Sequence, residues 1–280
     1  MTSALRPPPP PTDLAEAETR LQAVLDALPP GAVVALSGGC DSALLLDAAA
    51  RFWGPSRVVA ATNRSASLPP EELEAARRQA KRAGVEHVVF DGGEIDLRAF
   101  RRNAPDRCFH CKDVLFARLE DVAHERRLPQ VLDGANADDV GDHRPGMQAG
   151  RRRGVISPLL RAGLTKPWIR ALAKDRGLDT WDKPAAACLA SRFPYGREVT
   201  PEGLERVGAA ERVLKDLGFR TVRVRDHSPV ARVEVPVEDL PALAEPGVRE
   251  RVVEGIKAAG FAYVALDLEG FRSGSLNETL

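Results

Sequence analysis

The chain has 280 residues, of which 44% are hydrophobic and 29% are charged, a composition that is ordinary for a soluble globular protein. Its 40 lysines and arginines balance 40 aspartates and glutamates, and this zero net charge argues against a large nucleic-acid partner. No stretch approaches the roughly 20 apolar residues of a membrane span. The N-terminus lacks the apolar centre of a secretion signal, so we expect a cytoplasmic protein.

Predicted helices and strands alternate through the first part of the chain. Residues 1–11 include five consecutive prolines and are predicted to form an extended, disordered lead-in. Thr12 is predicted to cap a first helix, which ends at the Pro-Pro-Gly of residues 29–31. The short apolar run 32–36 predicts a buried strand, and a second helix is predicted to begin near Asp41, directly after two glycines.

The same alternation continues beyond the second helix. Further strands are predicted at 57–62, 85–90 and 130–133. Further helices are predicted at 69–83, 112–127 and 166–176. Strands that alternate with helices in this way predict an α/β fold in which a parallel sheet is sandwiched by helices.

The pattern changes after residue 194. Thr200 is predicted to cap a helix at 201–217. Segments 219–225 and 230–236 alternate apolar and polar residues, which predicts an antiparallel pair with one solvated face. A helix at 248–259 and a strand at 262–268 complete this part. We therefore divide the chain into the lead-in 1–11, an α/β domain 12–194 and a smaller C-terminal α+β domain 195–280.

The segment Ser37-Gly38-Gly39-Cys40-Asp41-Ser42 is typical of a phosphate-binding loop, because it joins a buried strand to a helix start. The glycines permit close approach of the backbone to a phosphate, and Ser37 and Ser42 can donate hydroxyl hydrogen bonds. Asp41 is predicted to place Mg²⁺ on the pyrophosphate, since a carboxylate that faced phosphate directly would repel it. The loop lacks the Gly-Lys-Ser/Thr ending of a Walker loop.

This loop resembles the pyrophosphatase loop (PP-loop) of the N-type ATP pyrophosphatases. That superfamily includes GMP synthetase, NAD synthetase, argininosuccinate synthetase and tRNA thiolases. The resemblance implies that ATP is cleaved between its α- and β-phosphates and that AMP is left on the substrate. Thr62 and Asn63 follow the second strand, where such enzymes often hold adenosine, although a simple loop is an equal alternative.

Four cysteines are too few for a disulfide scaffold at this length, and their spacing favours metal or catalytic chemistry. Cys108 and Cys111 form a Cys-x-x-Cys at a predicted helix start, where two thiols could bind one metal or cluster. Cys188 is the natural third ligand, and three unrelated buried cysteines are the alternative. Cys40, inside the phosphate loop, is interpreted as a small packing residue.

A wider set of motifs resembles one family. The set comprises the phosphate loop together with residues 107–112, 133–139, 142–146, 187–196 and 271–275. In combination they resemble the LarE family, sulfur-insertion enzymes that help build the nickel-pincer nucleotide cofactor of lactate racemase. The resemblance extends from about residue 14 to residue 275, and the blocks at 188–196 and 272–275 are much more specific than the loop.

The resemblance implies an ATP-dependent sulfurtransferase. The family's substrate is pyridinium-3,5-biscarboxylic acid mononucleotide, in which ATP adenylylates a carboxylate before a sulfur nucleophile displaces AMP and leaves a thiocarboxylate. Family members with three cysteines use them to hold a [4Fe-4S] cluster that carries the sulfide. Members with one cysteine, at the position of Cys188, give up its own sulfur. The presence of Cys108, Cys111 and Cys188 favours the cluster.

The resemblance also implies roles for residues of the matching motifs. The catalytic residues are Cys188, Asp41 and Arg192, of which Arg192 is expected to clamp a substrate carboxylate. The residues that bind ATP are Ser37, Gly38, Gly39, Asp41, Ser42, Thr62, Asn63, Gly134 and Asp138. The residues that bind the substrate are Ser191, Arg223, Arg225 and Glu211. The cofactors are ATP, Mg²⁺ and the cluster.

Several of these roles have a structural alternative. Asp138 and Asp139 could contact a metal or the adenylate, or could cap a helix. Arg223 and Arg225 face one way on a predicted strand and suit either a substrate phosphate or a solvated surface, and the resemblance favours the phosphate. A lone glutamate such as Glu211 is more often a surface residue.

Three other functions remain open at this point. They are a tRNA thiolase of the same superfamily, an ammonia-using ligase similar to GMP or NAD synthetase, and a nucleotide-binding sensor without catalysis. Zero net charge argues against the first, and a ligase would not need the three cysteines. The expected partners are a small nucleotide substrate, a second copy of the chain bound through the C-terminal domain, and a nickel-inserting protein; no membrane partner is expected.

Overall fold

The computed structural model describes residues 7–140, 145–184, 186–272 and 274–279. Residues 1–6 of the predicted lead-in, 142–144 of one motif and Ser273 of another lie outside the described residues. Pro11 is buried, and the Arg20 guanidinium donates a hydrogen bond to the Pro9 carbonyl at 2.6 Å. The last prolines of the predicted lead-in therefore have defined contacts with the first helix.

The chain forms two compact units. The first comprises Met1–Ser65, Pro70–Glu94 and Cys108–Ala185. The second comprises Ala66–Pro69, Ile95–Arg107 and Ala186–Leu280. The sequence placed one boundary between residues 194 and 195, whereas the units divide after Ala185 and two short earlier segments belong to the second unit.

The first unit is built on a four-stranded sheet in the order β3-β2-β1-β4. The strands are β1 (Ala32–Ala35), β2 (Val58–Asn63), β3 (Glu86–Phe90) and β4 (Val131–Leu132). Each neighbouring pair is parallel, so the carboxyl ends of all four strands lie at one edge of the sheet. This arrangement confirms the predicted parallel α/β sheet, and that edge is where open α/β folds bind their ligands.

Helices alternate with these strands along the chain up to residue 175. They are α1 (Leu14–Asp26), α2 (Cys40–Trp53), α3 (Pro70–Ala83), α4 (Arg98–Arg101), α5 (Arg107–Glu125), α6 (Pro145–Arg152), α7 (Pro158–Arg161) and α8 (Lys166–Asp175). Short 3-10 turns lie at Pro55–Arg57, Glu94–Asp96 and Ala137–Asp139. Across the described ranges, no helix has both the length and the apolar character needed to cross a membrane.

The N-cap of α1 is Asp13, and the prediction of Thr12 was wrong by one residue. The Asp13 carboxylate accepts a hydrogen bond from the Glu16 N–H at 2.8 Å. Thr12 instead donates its own N–H and hydroxyl to the Glu16 carboxylate. Both residue types cap helices well, so the register is decided by which side chain reaches the third helical N–H.

Successive residues of β1 face opposite sides of the sheet, as strand geometry requires. Val34 packs in a core with apolar residues of α1, α2 and α8. Val33 packs in a separate core with apolar residues of α5. The sheet is therefore covered on both faces, which explains why its strands read as continuous apolar runs.

The second unit contains a three-stranded sheet in the order β5-β6-β7. Its elements are β5 (Arg223–His227), β6 (Val230–Glu234), β7 (Tyr263–Leu266), α9 (Pro201–Asp216), α10 (Leu240–Ala244) and α11 (Pro246–Ala258), with 3-10 turns at Leu189–Arg192, Val237–Asp239 and Ser275–Thr279. Thr200 caps α9 and accepts from the Gly203 N–H at 3.1 Å, as predicted. β5 and β6 are antiparallel, and β7 is parallel to β6.

One expectation for this sheet was wrong. The alternating pattern of β5 and β6 predicted a solvated polar face, but Arg225 and Glu234 on that face are 6% and 1% exposed. They form an ion pair with each other across the two strands. Charged residues can alternate with apolar ones and still be buried, provided that each finds a partner of opposite charge.

Cys40 lies in the first turn of α2 and packs in the core of the first unit, 8% exposed. Burial, followed by the charge of Asp41, raises the pKa of its thiol to about 11. The reactive thiolate therefore forms only at strongly alkaline pH.

We expect Cys40 to resist alkylation in the folded protein. At pH 8 a thiol with a pKa of about 11 is ionised to about one part in a thousand. Peptide mapping after treatment with iodoacetamide should find Cys40 unmodified in the native protein and modified after denaturation. Rapid modification at pH 8 without loss of fold would contradict this packing.

Candidate active site

The phosphate loop that follows β1 has no space for a side chain at Gly38. This residue has a φ of +81°, and a Cβ atom there would lie 2.2 Å from the backbone oxygen of Glu72 in α3. The Gly38 carbonyl accepts hydrogen bonds from Gln79 Nε2 at 3.1 Å and from Lys183 Nζ at 3.0 Å. Lys183 also pairs with the Glu72 carboxylate at 2.8 Å. Backbone conformation and crowding both require glycine here.

Ser37 and Ser42 join the two ends of the loop. Ser42 Oγ donates to the Gly39 carbonyl at 3.2 Å and accepts from the Ser37 N–H at 3.2 Å. Because its one proton is used, the Ser37 hydroxyl is the donor in the 3.1 Å contact between the two hydroxyls. Gly39 is the N-cap of α2, and no side chain of the described residues caps this helix start. Its first N–H groups have no intrahelical acceptors, which suits them to an anion.

Asp41, in the first turn of α2, is held by two donors. Lys166 Nζ forms an ion pair with Asp41 Oδ2, and Asn136 Nδ2 donates to the same oxygen at 3.0 Å. The Lys166 side chain is 43% exposed and that of Asp41 is 17% exposed. One carboxylate and one ammonium therefore lie together beside the loop, a combination that suits Mg²⁺ and phosphate oxygens.

The loop after β4 reaches the same helix start. A Cβ atom at Gly134 would lie 3.1 Å from the Ser42 nitrogen and 3.3 Å from the Asp41 Cβ. Any larger residue would push against the first turn of α2. Gly134, predicted to bind ATP, thus lies beside the phosphate loop, and its close approach explains why glycine is needed.

Asp138 and Asp139 both cap helical starts. Asp139 Oδ2 accepts from the Asn136 N–H at 3.0 Å, which completes a capping box on the 3-10 turn 137–139. Asp138 Oδ2 accepts from the Lys166 N–H at 2.7 Å, at the first residue of α8. These contacts support the capping interpretation. A direct contact between Asp138 and ATP stays a prediction.

Thr62 and Asn63 lie at the carboxyl end of β2, where both form hydrogen bonds within the first unit. Thr62 is 2% exposed, donates from Oγ1 to the Leu36 carbonyl at 2.7 Å, and has His87 Nε2 at 2.8 Å. Asn63 Nδ2 donates to Glu94 Oε2 at 3.0 Å. These bonds shape the edge of the sheet, and contact with adenosine stays a prediction.

Cys108 and Cys111 lie near the start of α5, which begins at Arg107 and not at residue 112 as predicted. Helical residues three apart share a face, so the two thiols lie on one side of α5. Cys188 belongs to the second unit and is exposed. Within the described chain, no group of three or more His, Cys, Asp or Glu side chains is assembled to hold a metal ion. The convergence of the three thiols stays a prediction.

Three buried arginines hold the backbone around Cys188. Arg107, Arg192 and Arg225 are 3%, 2% and 6% exposed. Their contacts are Arg192 Nη1 to the carbonyls of Ala187 at 3.0 Å and Cys188 at 3.2 Å, Arg107 Nη1 to Ala190 at 2.8 Å, and Arg225 Nη1 to Ser191 at 2.8 Å. The backbone of segment 187–191 is therefore fixed while the Cys188 side chain is exposed.

Two of these arginines are neutralised by buried glutamates. Arg192 makes a bidentate pair with Glu211 at 2.6 and 3.0 Å, and Arg225 makes one with Glu234 at 2.8 Å on both sides. Both glutamates are 1% exposed, so the surface interpretation of Glu211 was wrong. A carboxylate that neutralises a buried guanidinium need not lie at the surface. Contact of Arg192 or Glu211 with a substrate stays a prediction.

Arg223 shares a face of β5 with Arg225, as the sequence indicated. Its Nη1 donates to the Val222 carbonyl at 2.8 Å, and its guanidinium lies 5.1 Å from the centre of the Phe271 ring. Burial, followed by the charge of Arg192, lowers the Arg223 pKa to about 10, which still leaves it protonated at neutral pH. Ser191, the other predicted substrate residue, donates its hydroxyl to the Cys188 carbonyl at 2.8 Å.

The sequence analysis missed Lys166, Lys183 and Gln79. Lys166 was predicted as the first residue of a helix, and Gln79 as part of another, but neither stands in a recognisable motif. Lys183 is separated from Gly38 by more than a hundred residues. Their link to the loop is created by the packing of α3 and α8 against α2, which brings these distant segments to the phosphate loop.

Comparison with known proteins gives relatives over most of the chain, although no family model matches it. The chain is 42% identical over 249 residues to an uncharacterized protein of Synechocystis sp., covering 89% of this chain and 92% of that protein. It is 38% identical over 250 residues to the pyridinium-3,5-bisthiocarboxylic acid mononucleotide synthase of Lactiplantibacillus plantarum, covering 88% and 89%. A tRNA(Ile)-lysidine synthase of Burkholderia pseudomallei is 29% identical over 253 residues but is matched over 51% of its length.

These matches extend over both units of the chain. A match that covers 88% of the chain must include residues of both units. The weaker matches, to the lysidine synthase and to an NAD(+) synthetase of Methanopyrus kandleri over 69 residues, join the chain to the wider PP-loop superfamily. At 38% identity over nearly the whole length of the synthase, the chain belongs to the LarE family.

Proposed function

We propose that this chain is an ATP-dependent sulfurtransferase that adenylylates a carboxylate of pyridinium-3,5-biscarboxylic acid mononucleotide and replaces AMP by sulfur. The observation that carries the proposal is the identity along 88% of the chain to a synthase named for the bisthiocarboxylic product. Such a product requires one oxygen of each carboxylate to be replaced by sulfur. The phosphate loop supports ATP as the activating reagent.

In the first half of the reaction a substrate carboxylate oxygen attacks the α-phosphorus of ATP. A new P–O bond forms, the bond between the α-phosphorus and the bridging oxygen breaks, and pyrophosphate leaves. The free N–H groups at the start of α2 are suited to hold the departing pyrophosphate. Asp41 would hold Mg²⁺ there, and the Lys166 ammonium beside it would offset the charge of the leaving group.

In the second half a sulfur nucleophile attacks the acyl carbon of the adenylate. The C–O bond to AMP breaks, AMP leaves with the original carboxylate oxygen, and a thiocarboxylate remains. AMP is a good leaving group, so the step needs a soft nucleophile and the exclusion of competing water. The fixed backbone of segment 187–191 would hold the Cys188 sulfur in place for this step.

Three cysteine thiolates are a suitable donor set for a [4Fe-4S] cluster with one iron free of protein ligands. Cys108 and Cys111 share a face of α5, and Cys188 offers an exposed thiol. The partial positive charge at the start of a helix favours anionic ligands on α5. When bound, such a cluster supplies sulfide as the nucleophile. The alternative donor is the sulfur of Cys188 itself.

The competing functions have less support. The relative that acts on tRNA is matched over 51% of its length, and the NAD(+) synthetase over 25% of this chain. Retention on tRNA at moderate salt would favour a thiolase, and pyrophosphate release that depends on ammonia would favour a ligase. The homo-oligomer and the nickel-inserting partner stay predictions, because both depend on the family resemblance. The cytoplasmic location stays a prediction from the sequence.

Substitution of Asp41 by Asn should abolish most pyrophosphate release. The amide is neutral and a poorer Mg²⁺ ligand, so we expect the rate with ATP and the biscarboxylic mononucleotide to fall about a hundredfold or more. Asp121→Asn, which removes an exposed carboxylate on α5, is the matched control and should keep the wild-type rate. Full activity of Asp41→Asn would exclude the carboxylate from catalysis.

Substitution of Arg223 by Met should raise KM for the mononucleotide about tenfold, because one charge-assisted contact to its phosphate is lost. KM for ATP should be unchanged. Arg223→Lys should recover part of the loss, whereas Arg249→Met, an exposed arginine of α11, should have no effect. Equal changes in both KM values would contradict a phosphate site at Arg223.

The sulfur source can be identified in protein purified without oxygen. We expect about four irons and four sulfides per chain, as the cluster composition requires, and no change of mass at Cys188 after turnover. Cys108→Ser and Cys111→Ser should lose the iron, whereas Cys40→Ala should retain it. Loss of sulfur from Cys188 would instead assign the donor to that residue. If the protein holds no iron and Cys188 shows no change of mass, both assignments are excluded.

A further inference from the structure

The Gly38 carbonyl is held by two side chains from outside the loop. Gln79, on α3, donates from Nε2 at 3.1 Å, and Lys183 donates from Nζ at 3.0 Å. Gln79 is 5% exposed, so its amide has little access to water as a competing partner. A carbonyl with two such donors is fixed in direction, although it lies between two glycines whose backbone is otherwise free to rotate.

The direction of this carbonyl fixes the next N–H group. In a trans peptide the C=O and N–H bonds point in opposite directions. The Gly38 carbonyl points towards Gln79 and Lys183, so the N–H of Gly39 points away from them. Gly39 is the N-cap of α2, and its N–H is the first of the groups at this helix start that lack an intrahelical acceptor.

Lys183 is itself held at two points besides its bond to Gly38. Its ammonium pairs with the Glu72 carboxylate at 2.8 Å, and Glu72 is 5% exposed. Arg170 of α8 donates to the Lys183 carbonyl at 2.6 Å and to the Trp181 carbonyl at 2.8 Å. Both the backbone and the ammonium of Lys183 are therefore fixed relative to the loop, which is the condition for a residue that orients another group.

One polar atom of the Gln79 side chain is left without a hydrogen bond. Its Oε1 is buried and has no hydrogen-bond partner among the described residues. Rotation of the amide by half a turn would place this oxygen against the Gly38 carbonyl oxygen, so the contact with Gly38 dictates its orientation. A buried acceptor without a protein partner is unfavourable, so the orientation of the amide is set by the bond that it donates to the loop.

We propose that Gln79 and Lys183 are positioning residues of the phosphate loop, which aim the Gly39 N–H at the pyrophosphate part of ATP by holding the Gly38 carbonyl. Glu72 acts through Lys183. The inference rests on the proposed use of ATP. It assigns Gln79, Lys183 and Glu72 to fixing the direction of a loop peptide that the residues of Ser37–Ser42 do not fix by themselves. Because these side chains act through the backbone and do not touch the ligand, they should change how tightly the phosphates bind and not which ligand binds.

The test measures binding of Mg²⁺–ATP, pyrophosphate and AMP by calorimetry to the full chain. Gln79→Leu should weaken ATP and pyrophosphate about tenfold, the value of one lost hydrogen bond to a charged group, and leave AMP unchanged. It also removes the unpaired Oε1, so the melting temperature should stay the same or rise. A merely structural role predicts the opposite, a lower melting temperature with equal losses for all three ligands.

The matched control is Gln130→Leu. Gln130 also donates to backbone carbonyls, those of Pro29 and Gly31, but these lie at the start of β1 and not at the loop. Its substitution should leave all three affinities at the wild-type value. An equal loss in Gln130→Leu and Gln79→Leu would overturn the proposal.

Lys183 is tested in a background that avoids a buried unpaired charge. The double variant Glu72→Gln/Lys183→Met should weaken ATP and pyrophosphate like Gln79→Leu, whereas Lys174→Met, a nearby cation of α8 that contacts Trp181, should not. If the double variant loses ATP completely while Gln79→Leu binds normally, Lys183 contacts phosphate directly and the proposal is overturned. If the wild type binds no ATP, the proposed function fails instead.

Discussion

The phosphate loop is packed so closely against its neighbours that side chains are excluded from two of its contact points. At Gly38 a Cβ atom would overlap the backbone of α3, and at Gly134 it would press on the first turn of α2. The loop can therefore present only backbone N–H groups and the flanking serine and aspartate side chains. This arrangement suits an anionic ligand, because N–H groups at a helix start attract negative charge.

The second unit fixes a backbone by related means. Buried guanidiniums of Arg107, Arg192 and Arg225 are donors to carbonyls of segment 187–191, as the Lys183 ammonium is a donor to Gly38. A cation that donates to a carbonyl makes a stronger bond than a neutral donor, and burial protects it from water. In each unit, charged side chains thus fix the backbone by donating to its carbonyls, at Gly38 in the first unit and in segment 187–191 in the second.

The sequence was sufficient for the parts of the fold that depend on local patterns. The apolar run of β1, the two glycines and the helix start at Asp41 were enough to predict the loop, and Thr200 was enough to predict the start of α9. The sequence failed where a side chain's partner is distant. Glu211 looked like a surface glutamate because nothing local shows that Arg192 is buried against it.

The same reason explains the missed lysines. Lys166 and Lys183 are ordinary charged residues in the sequence, and the packing of α8 against α2 brings them to Asp41 and Gly38. Capping residues were a mixed case. For Asp138 and Asp139 the sequence left two roles equally open, binding of a metal or the adenylate and helix capping. The structure shows that their carboxylates accept hydrogen bonds from the N–H groups of Lys166 and Asn136 respectively. Local rules thus identify which residues can act, whereas tertiary contacts decide what they act on.

The charge balance around β5 distinguishes Arg223 from Arg192 and Arg225. Arg192 and Arg225 are each neutralised by a bidentate glutamate, which leaves them as fixed donors to the backbone near Cys188. Arg223 has a lowered pKa because burial and neighbouring guanidiniums disfavour its charge. A bound phosphate would oppose both causes, so phosphate binding and protonation of Arg223 reinforce each other. Under the proposed function, a nucleotide phosphate bound at Arg223 on β5 would leave the exposed thiol of Cys188 accessible.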